Sequence, residues 1–346
     1  MQNFTQLKEL LSTPRDILIT SHRNPDGDAV GSSLALMSYL KSKFHTVYVS
    51  LPSEFPDNFS WMEGSDEILI YDVKIKKVNK IIDNVDLVFA LDYNGLSRID
   101  KMGEYIGKSK VPVAMIDHHL NPEDFSEYTL SDPSASSTCE LVFDFIKMMD
   151  KDAVIDQTVA EAIYTGILTD TGSFKYSVSP KLFNICAQLI ESGVNADKLQ
   201  GLIFNSLPKK NLELLGYCLN QRMEIIPELK TGIISLTKKD YENFDIQRGD
   251  TEGIVNYLLM LKEVQIAAFV SEQPKIVKLS LRSKGDFAVN EIANKHFKGG
   301  GHKNAAGGAS FSGLHSTINK LKRILREEVN ENSFKSYPVE SLEGYQ

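Results

Sequence analysis

The sequence predicts two α/β domains in succession, the first built on a mainly parallel sheet. Three observations carry this. From residue 15 to about residue 175, short apolar runs alternate with stretches of helical periodicity. Two of these runs, Leu87-Val88-Phe89-Ala90-Leu91 and Val113-Ala114-Met115-Ile116, are apolar throughout, as strands covered on both faces must be. From residue 223 onward β-rich runs return and alternate with helices again.

Taken in order, Phe4, Leu7, Leu10 and Leu11 have helical spacing with polar residues between them, so no secretory leader is expected. Ile17-Leu18-Ile19 reads as a buried strand and Ser33–Leu40 as a helix, with Ser21–Ser32 between them. Further strands are expected at Val47–Val49, Ile68–Ile70, Leu87–Leu91 and Val111–Ile116. Ser137-Thr138-Cys139-Glu140 has capping-box spacing ahead of Leu141-Val142-Phe143. Ala160–Thr169 is helical and runs into Asp170. Ser179-Pro180 places proline at the first helical position. Residues 180–222 are helical throughout, with breaks near Gly193 and Pro208.

The second domain starts with Met223–Ile226, Gly232–Leu236, Val264–Val270 and Lys275–Arg282 as strands. Helices are expected near 251–262, 288–297 and 314–329, the last with Leu314, Ile318, Leu321, Leu325 and Val329 on one face. The expected division is a first domain at 1–187, a helical connector at 188–222, a second domain at 223–330 and a tail at 331–346.

Composition narrows the function classes. Hydrophobic residues make up 42% of the chain and charged residues 24%, an ordinary globular balance. No apolar run approaches the ~20 residues that cross a bilayer, so no membrane partner is expected. The three cysteines, Cys139, Cys186 and Cys218, lie in helical patterns beside apolar neighbours. Their odd number and wide spacing fit core residues in the reducing cytoplasm, not a disulfide framework. A net charge of −8 argues against coating long duplex nucleic acid.

The residues that carry chemistry cluster at strand ends. His22, Asp26 and Asp28 lie on the loop leaving the first strand, punctuated by Pro25 and Gly27. Asp92 follows Leu87–Leu91, and Asp117-His118-His119 closes the run Val113–Ile116. Asp170 ends its helix. Asp28 alone would be a helix cap, Asp92 a turn residue and Asp170 a loop residue. Adjacent histidines after a buried strand are another matter, because alternate residues point opposite ways and one imidazole must face outward. Four carboxylates brought together repel unless cations sit between them. Two divalent ions sharing one carboxylate solve that problem, and a pair of ions roughly 3.5–4 Å apart suits in-line attack at phosphorus. Mixed imidazole and carboxylate ligation suits manganese and admits zinc, cobalt or iron.

The stretch His22–Ser32, Asp92, Asp117-His118-His119 and Thr169-Asp170-Thr171-Gly172 resemble the four motifs of the DHH phosphoesterase superfamily. Gly299–Gly308, reading GGGHKNAAGG, resembles the glycine-rich signature of the DHHA1 domain. The match spans roughly residues 15–330 and is closest to the short two-domain oligoribonuclease/pAp phosphatase branch (pAp is 3′-phosphoadenosine 5′-phosphate). The resemblance implies that His22, Asp26 and Asp92 hold one ion, and Asp28, Asp92, His118 and Asp170 the other, with Asp92 shared. It implies that Asp117 orients an imidazole and that His119 meets the scissile phosphate. A cleft between the two domains is implied as well.

The glycine-rich segment also has a reading of its own. Gly299, Gly300 and Gly301 let backbone amides approach a ligand. Asn304-Ala305-Ala306 reads as a helix start, where exposed amides attract anions, with His302 and Lys303 adding positive character. Between 273 and 303, seven Lys or Arg face two acids. Of these Arg282 is the candidate phosphate grip, because it ends a strand and guanidinium binds phosphate through two bonds. Arg98 is a candidate to face the ions' site. The expected substrate-binding set is therefore Arg282, Gly300, Gly301, His302 and Asn304.

The expected activity is hydrolysis of two- to five-nucleotide RNA to mononucleotides and dephosphorylation of pAp, by two-metal activation of water with manganese. A linear-dinucleotide hydrolase and a non-catalytic nucleotide sensor are the alternatives. Short RNA and pAp are the expected partners, and a homodimer is allowed.

Overall fold

The computed structural model describes residues 1–205, 207–247 and 249–329. The expected tail at 331–346 lies outside the described residues. The chain divides into two compact units between residues 206 and 207. The helical stretch at 188–222 is therefore shared between them.

The first unit contains α1 (Phe4–Leu10), β1 (Asp16–Ser21), α2 (Gly27–Ser42), β2 (Thr46–Leu51), β3 (Leu69–Ile70), α3 (Tyr71–Ile82), β4 (Leu87–Leu91), α4 (Asp100–Ile106), β5 (Val113–Asp117), β6 (Tyr128–Ser131), α5 (Thr138–Met149), α6 (Gln157–Asp170), α7 (Pro180–Glu191) and α8 (Ala196–Phe204). Its six strands lie in the order β3-β2-β1-β4-β5-β6. Every adjacent pair is parallel.

Both faces are covered, which explains the continuous apolar runs. Ile17, Ile19, Phe89, Leu91 and Ile116 pack into one core with the buried residues of α2, α5 and α6. Leu18, Val88, Ala90 and Met115 pack into another with Tyr71, Val78, Met102 and Ile106 from α3 and α4. In this strand order the chain reverses direction between β1 and β4, and open sheets place their ligands at the strand carboxyl ends beside such a reversal. The loops after β1 and β4 are the ones that carry His22, Asp26, Asp28 and Asp92.

The second unit contains α9 (Lys209–Gln221), β7 (Met223–Ile226), β8 (Thr231–Leu236), α10 (Lys238–Asn243), α11 (Ile254–Leu258), β9 (Ile266–Glu272), β10 (Val277–Ser283), α12 (Val289–Phe297), β11 (Gly300–His302), β12 (Ala305–Ser310) and α13 (Leu314–Glu328). Its sheet runs β11-β12-β10-β9-β8-β7 and is antiparallel except between β8 and β9. One face packs Ile292, Phe297, Leu321 and Leu325 of α12 and α13. The other packs Leu214 and Cys218 of α9 with Ile254 and Leu258 of α11.

The helix start expected at Asn304-Ala305-Ala306 is not there. Asn304 lies in a turn and Ala305 begins β12, which pairs back on β11 in a hairpin with His302 opposite Ala305. The reason is space. A Cβ at Gly299 would lie 1.9 Å from the Gly307 carbonyl oxygen, and one at Gly301, whose φ is +139°, would lie 2.4 Å from that of Ala305. The glycines let strands approach, so they build a hairpin and not a helix terminus. All three cysteines are free and buried, as their apolar surroundings suggested. Among the described residues no helix is long and apolar enough to cross a membrane.

Candidate metal centre

Each candidate side chain of the first unit is placed by a local feature of the backbone. Asp26 is the N-cap of α2 and accepts from the amides of Asp28 and Ala29 at 3.0 and 3.1 Å. Asp28 is not the cap. Fully buried, it accepts instead from the Thr138 and Cys139 amides at the N-terminus of α5, at 2.6 and 2.9 Å. Asp92 stands directly after β4 with φ +62°, a left-handed conformation that aspartate tolerates better than bulkier residues and that turns its carboxylate back over the strand ends. Asp170 is the last residue of α6.

These placements converge. His22 Nε2 lies 3.3 Å from Asp92 Oδ2 and 3.9 Å from Asp26 Oδ2. His118 Nε2 lies 3.6 Å from Asp92 Oδ1, 4.0 Å from Asp28 Oδ2 and 3.2 Å from Asp170 Oδ2. Two of the triads whose donor atoms lie within 4.8 Å of one another are His22–Asp26–Asp92 and Asp28–Asp92–His118. Asp92 belongs to both, with one oxygen toward each histidine.

The histidines are set for ligation through Nε2. His22 Nδ1 is 2.9 Å from the Arg23 carbonyl oxygen and His118 Nδ1 is 3.3 Å from that of Ala135. A carbonyl only accepts, so each Nδ1 carries a proton and Nε2 turns toward the carboxylates.

The electrostatics report a site short of positive charge. Burial works against a charged His22, yet the hydrogen bond to Asp92 and the charge of Asp26 overcome it and raise the imidazole to about 9. Burial likewise opposes charge on His118, and Asp170 with its carboxylate neighbours lifts it to about 11. Burial, Asp26 and Asp92 push Asp170 up to about 6 against the pull of His118. Burial and the charges of Asp92 and Asp170 push Asp28 up as well. Burial would raise Asp92 too, but the surrounding imidazoles hold it well below the usual range. Protons here do the work of cations. The donor set, carboxylates with inward-facing imidazole nitrogens, fits hard or borderline divalent ions.

Beside the triads, Asp117 Oδ1 accepts from His119 Nδ1 at 2.7 Å and Asp117 Oδ2 accepts from the His119 amide at 2.9 Å. The Arg98 Nη2 lies 3.4 Å from His119 Nε2. The nine candidates of the first unit are thus brought together. In the second unit Arg282 on β10 and His302 on β11 flank Ala305 of β12, each paired with it. Gly300 and Gly301 lie on the edge strand β11. The Asn304 side-chain Nδ2 donates to Ser283 Oγ and the Gly285 carbonyl, both at 2.9 Å, and so holds the loop after β10.

Family models match both units: the DHH family N-terminal domain over residues 16–167 and the DHHA1 domain over residues 232–331. The chain belongs to the DHH family. This bears out the resemblance drawn from the motifs and the α/β class predicted for both domains. A crystal structure of an exopolyphosphatase-related protein from Bacteroides fragilis superposes with a TM-score of 0.88 at 40% identity, covering 94% of each chain. The probable bifunctional oligoribonuclease and PAP phosphatase NrnA of Streptococcus mutans is 29% identical, over 90% of this chain and 95% of its own. The bifunctional oligoribonuclease and PAP phosphatase NrnA of Thermus thermophilus is 28% identical, over 92% and 91%.

Sequence reasoning missed one contributor to the DHH-domain site. Thr138 was read only as part of a helix start, yet its buried hydroxyl donates to Asp92 Oδ1 at 3.0 Å. The one signal available was its position in a capping sequence, where short polar side chains are expected anyway.

Proposed function

We propose that this DHH-family chain is a manganese-dependent phosphohydrolase that cuts two- to five-nucleotide RNA to mononucleotides and removes the 3′-phosphate from pAp. The observation that carries the reading is the Asp92 carboxylate, buried and divided between His22 and His118. His22, Asp26 and Asp92 would hold one ion; Asp28, Asp92, His118 and Asp170 the other. When bound, two such ions supply activation of water and neutralise charge developing at phosphorus.

The protein's own groups do the rest. Asp117 fixes the His119 ring, so that this imidazole meets the scissile phosphate in one orientation. Arg98, beside it, adds fixed positive charge where phosphate oxygens would lie. Arg282, Gly300, Gly301, His302 and Asn304 receive the end of the substrate away from the scissile bond, with Asn304 also holding the loop that follows Arg282 and β10. Recognition of an end, without a long basic groove, accounts for a short substrate on an acidic chain. The names of the Streptococcus and Thermus relatives support the same substrates.

The test is a substrate panel with manganese: pAp, pApA, pGpG, RNA from two to twenty-four nucleotides, single-stranded DNA and pyrophosphate. Dinucleotide and pAp should be turned over far faster than the longest RNA, the DNA or pyrophosphate. Equal rates on two and twenty-four nucleotides, or a preference for pyrophosphate, would overturn the reading. Strong preference for pApA or pGpG over pAp and mixed dinucleotides would replace it with a dinucleotide hydrolase.

A further inference from the structure

We propose that Thr138 is a positioning residue whose hydroxyl pins the Asp92 carboxylate so that each of its oxygens serves a different ion. This rests on the reading of Asp92 as the shared ligand. Thr138 is fully buried and opens α5. Its Oγ1 donates to Asp92 Oδ1 at 3.0 Å, and its amide donates to Asp28 Oδ2 at 2.6 Å. One residue therefore holds a carboxylate from each side of the second triad.

The helix start that carries Thr138 is itself fixed. Ser137 Oγ accepts from the Glu140 amide at 3.1 Å, and Glu140 Oε2 accepts from the Ser136 amide at 2.8 Å. Glu140 is held in turn by Lys181 Nζ at 2.9 Å. The hydroxyl thus stands on a braced element.

The need for it follows from the chemistry of a shared carboxylate. The terminal torsion of aspartate is broad, so the carboxylate plane turns easily. Turned one way it bridges two ions; turned another it chelates one ion through both oxygens and leaves the second short of a ligand. The Thr138 hydroxyl donates to Oδ1, on which His118 Nε2 at 3.6 Å and His119 Nδ1 at 3.7 Å also converge. Oδ2 stays on the His22 side at 3.3 Å. Rotation into the chelating arrangement would break this hydrogen bond inside a buried site.

The experiment titrates metal-stripped Thr138→Val, Thr138→Ser and Asp92→Asn with Mn2+ alone, by calorimetry, and records electron paramagnetic resonance spectra of the loaded samples. Valine keeps the branched shape and removes the hydroxyl; serine keeps the hydroxyl. Thr138→Val should weaken the second Mn2+ about tenfold or more and diminish the spin-coupled signal of the pair, while Thr138→Ser stays within about threefold of the parent. Unchanged binding and spectrum in Thr138→Val would overturn the proposal. So would a serine variant as weak as the valine one, which would assign the effect to packing of the methyl. If circular dichroism shows Thr138→Val unfolded, Thr138→Ala takes its place under the same criteria. Asp92→Asn separates the two layers of the argument. Two ions bound normally by that variant would refute the shared ligand and Thr138's role with it. Loss there with intact binding in Thr138→Val would refute Thr138 alone.

Discussion

Replacing Gly31 by alanine adds one methyl group where α2 crosses α6, and the structure sets the consequence. The new Cβ would lie 2.5 Å from the Ala162 carbonyl oxygen, a backbone atom of α6, and 3.2 Å from Cys139 Sγ and the Gly166 nitrogen. Ordinary contact begins near 3.4 Å, so the helices must part by about 0.9 Å, and no flexible side-chain end is available to yield instead. Overpacking of this kind costs about 1–3 kcal/mol, and rigid backbone on the far side places this case near the top of that range. Alanine returns about 0.8–1 kcal/mol in helix propensity. The net loss is about 2 kcal/mol, which lowers the melting temperature of a unit this size by about 4–8 °C.

Asp28 sits three residues before Gly31 on α2, and α6 ends in Asp170. Parting the helices therefore also separates Asp28 from Asp170 in the second ion's proposed ligand set by more than the ~0.2 Å tolerance of a metal site, and affinity for the second ion should fall at least about tenfold. Scanning calorimetry of the metal-stripped protein reads the first effect and Mn2+ titration the second. Gly201 on α8 is the control, because a Cβ there meets nothing within 4 Å. Gly201→Ala should raise stability by about 0.4–1 kcal/mol. If Gly31→Ala melts no lower than the parent and binds both ions normally, the close crossing of α2 and α6 does not hold the site together.

Asp92→Ala should lose both ions and nearly all turnover, measured together by metal content and rate, and two ions retained at normal rate would remove Asp92 from the site. His302→Ala should leave metal content unchanged and lower kcat/KM on RNA dinucleotide by about 1.5–3 kcal/mol, the range for a hydrogen bond to a charged group. Hydrolysis of bis-p-nitrophenyl phosphate, which has no nucleotide end, should change far less, and equal losses would place His302 in the core of the fold or the chemistry. Mn2+ added to metal-stripped protein near neutral pH should release protons in weakly buffered solution, because His22 titrates at about 9 and gives up its Nε2 proton to ligate. The sign extends to stability. A histidine raised from 6.5 to about 9 stabilises the metal-free fold fully below pH 6.5, and that contribution is lost as the pH rises through 9. Metal-free protein should therefore melt lower at pH 9 than at pH 6.5, which a pair of thermal scans would check.

The candidate ligands were legible because strands covered on both faces leave little freedom. Leu87–Leu91 could only be a central strand, and a polar residue directly after it could only stand at the sheet's edge. Three such edges with acid or imidazole residues, and a helix that ends in Asp170, point to one place. β6 went unnoticed because Tyr128–Ser131 is half-buried throughout and shows no apolar alternation. The β11–β12 hairpin was mistaken for a helix start because Asn-Ala-Ala carries helical propensity, and the close approach of Gly299 and Gly301 to β12 is visible only in three dimensions. Thr138 was illegible for a related reason. A capping hydroxyl and a hydroxyl held against Asp92, 46 residues away, look the same in one dimension.

The left-handed backbone at Asp92 has a bearing on how this chain can change over time. Glycine, asparagine and aspartate adopt that conformation at the least cost, although phenylalanine, serine and lysine take a positive φ elsewhere in this chain. Glycine removes the shared ligand, and asparagine replaces one of its two anionic oxygens with an amide nitrogen that cannot ligate. Glutamate, the other residue that could offer a carboxylate, is poorly suited to the backbone and would carry its oxygens one methylene too far. Position 92 is thus constrained twice over, by the turn it makes and by the ions it would share, and the two constraints intersect at a single amino acid. On the proposed reading, a descendant that abandons the chemistry could still make this turn with asparagine or glycine at position 92.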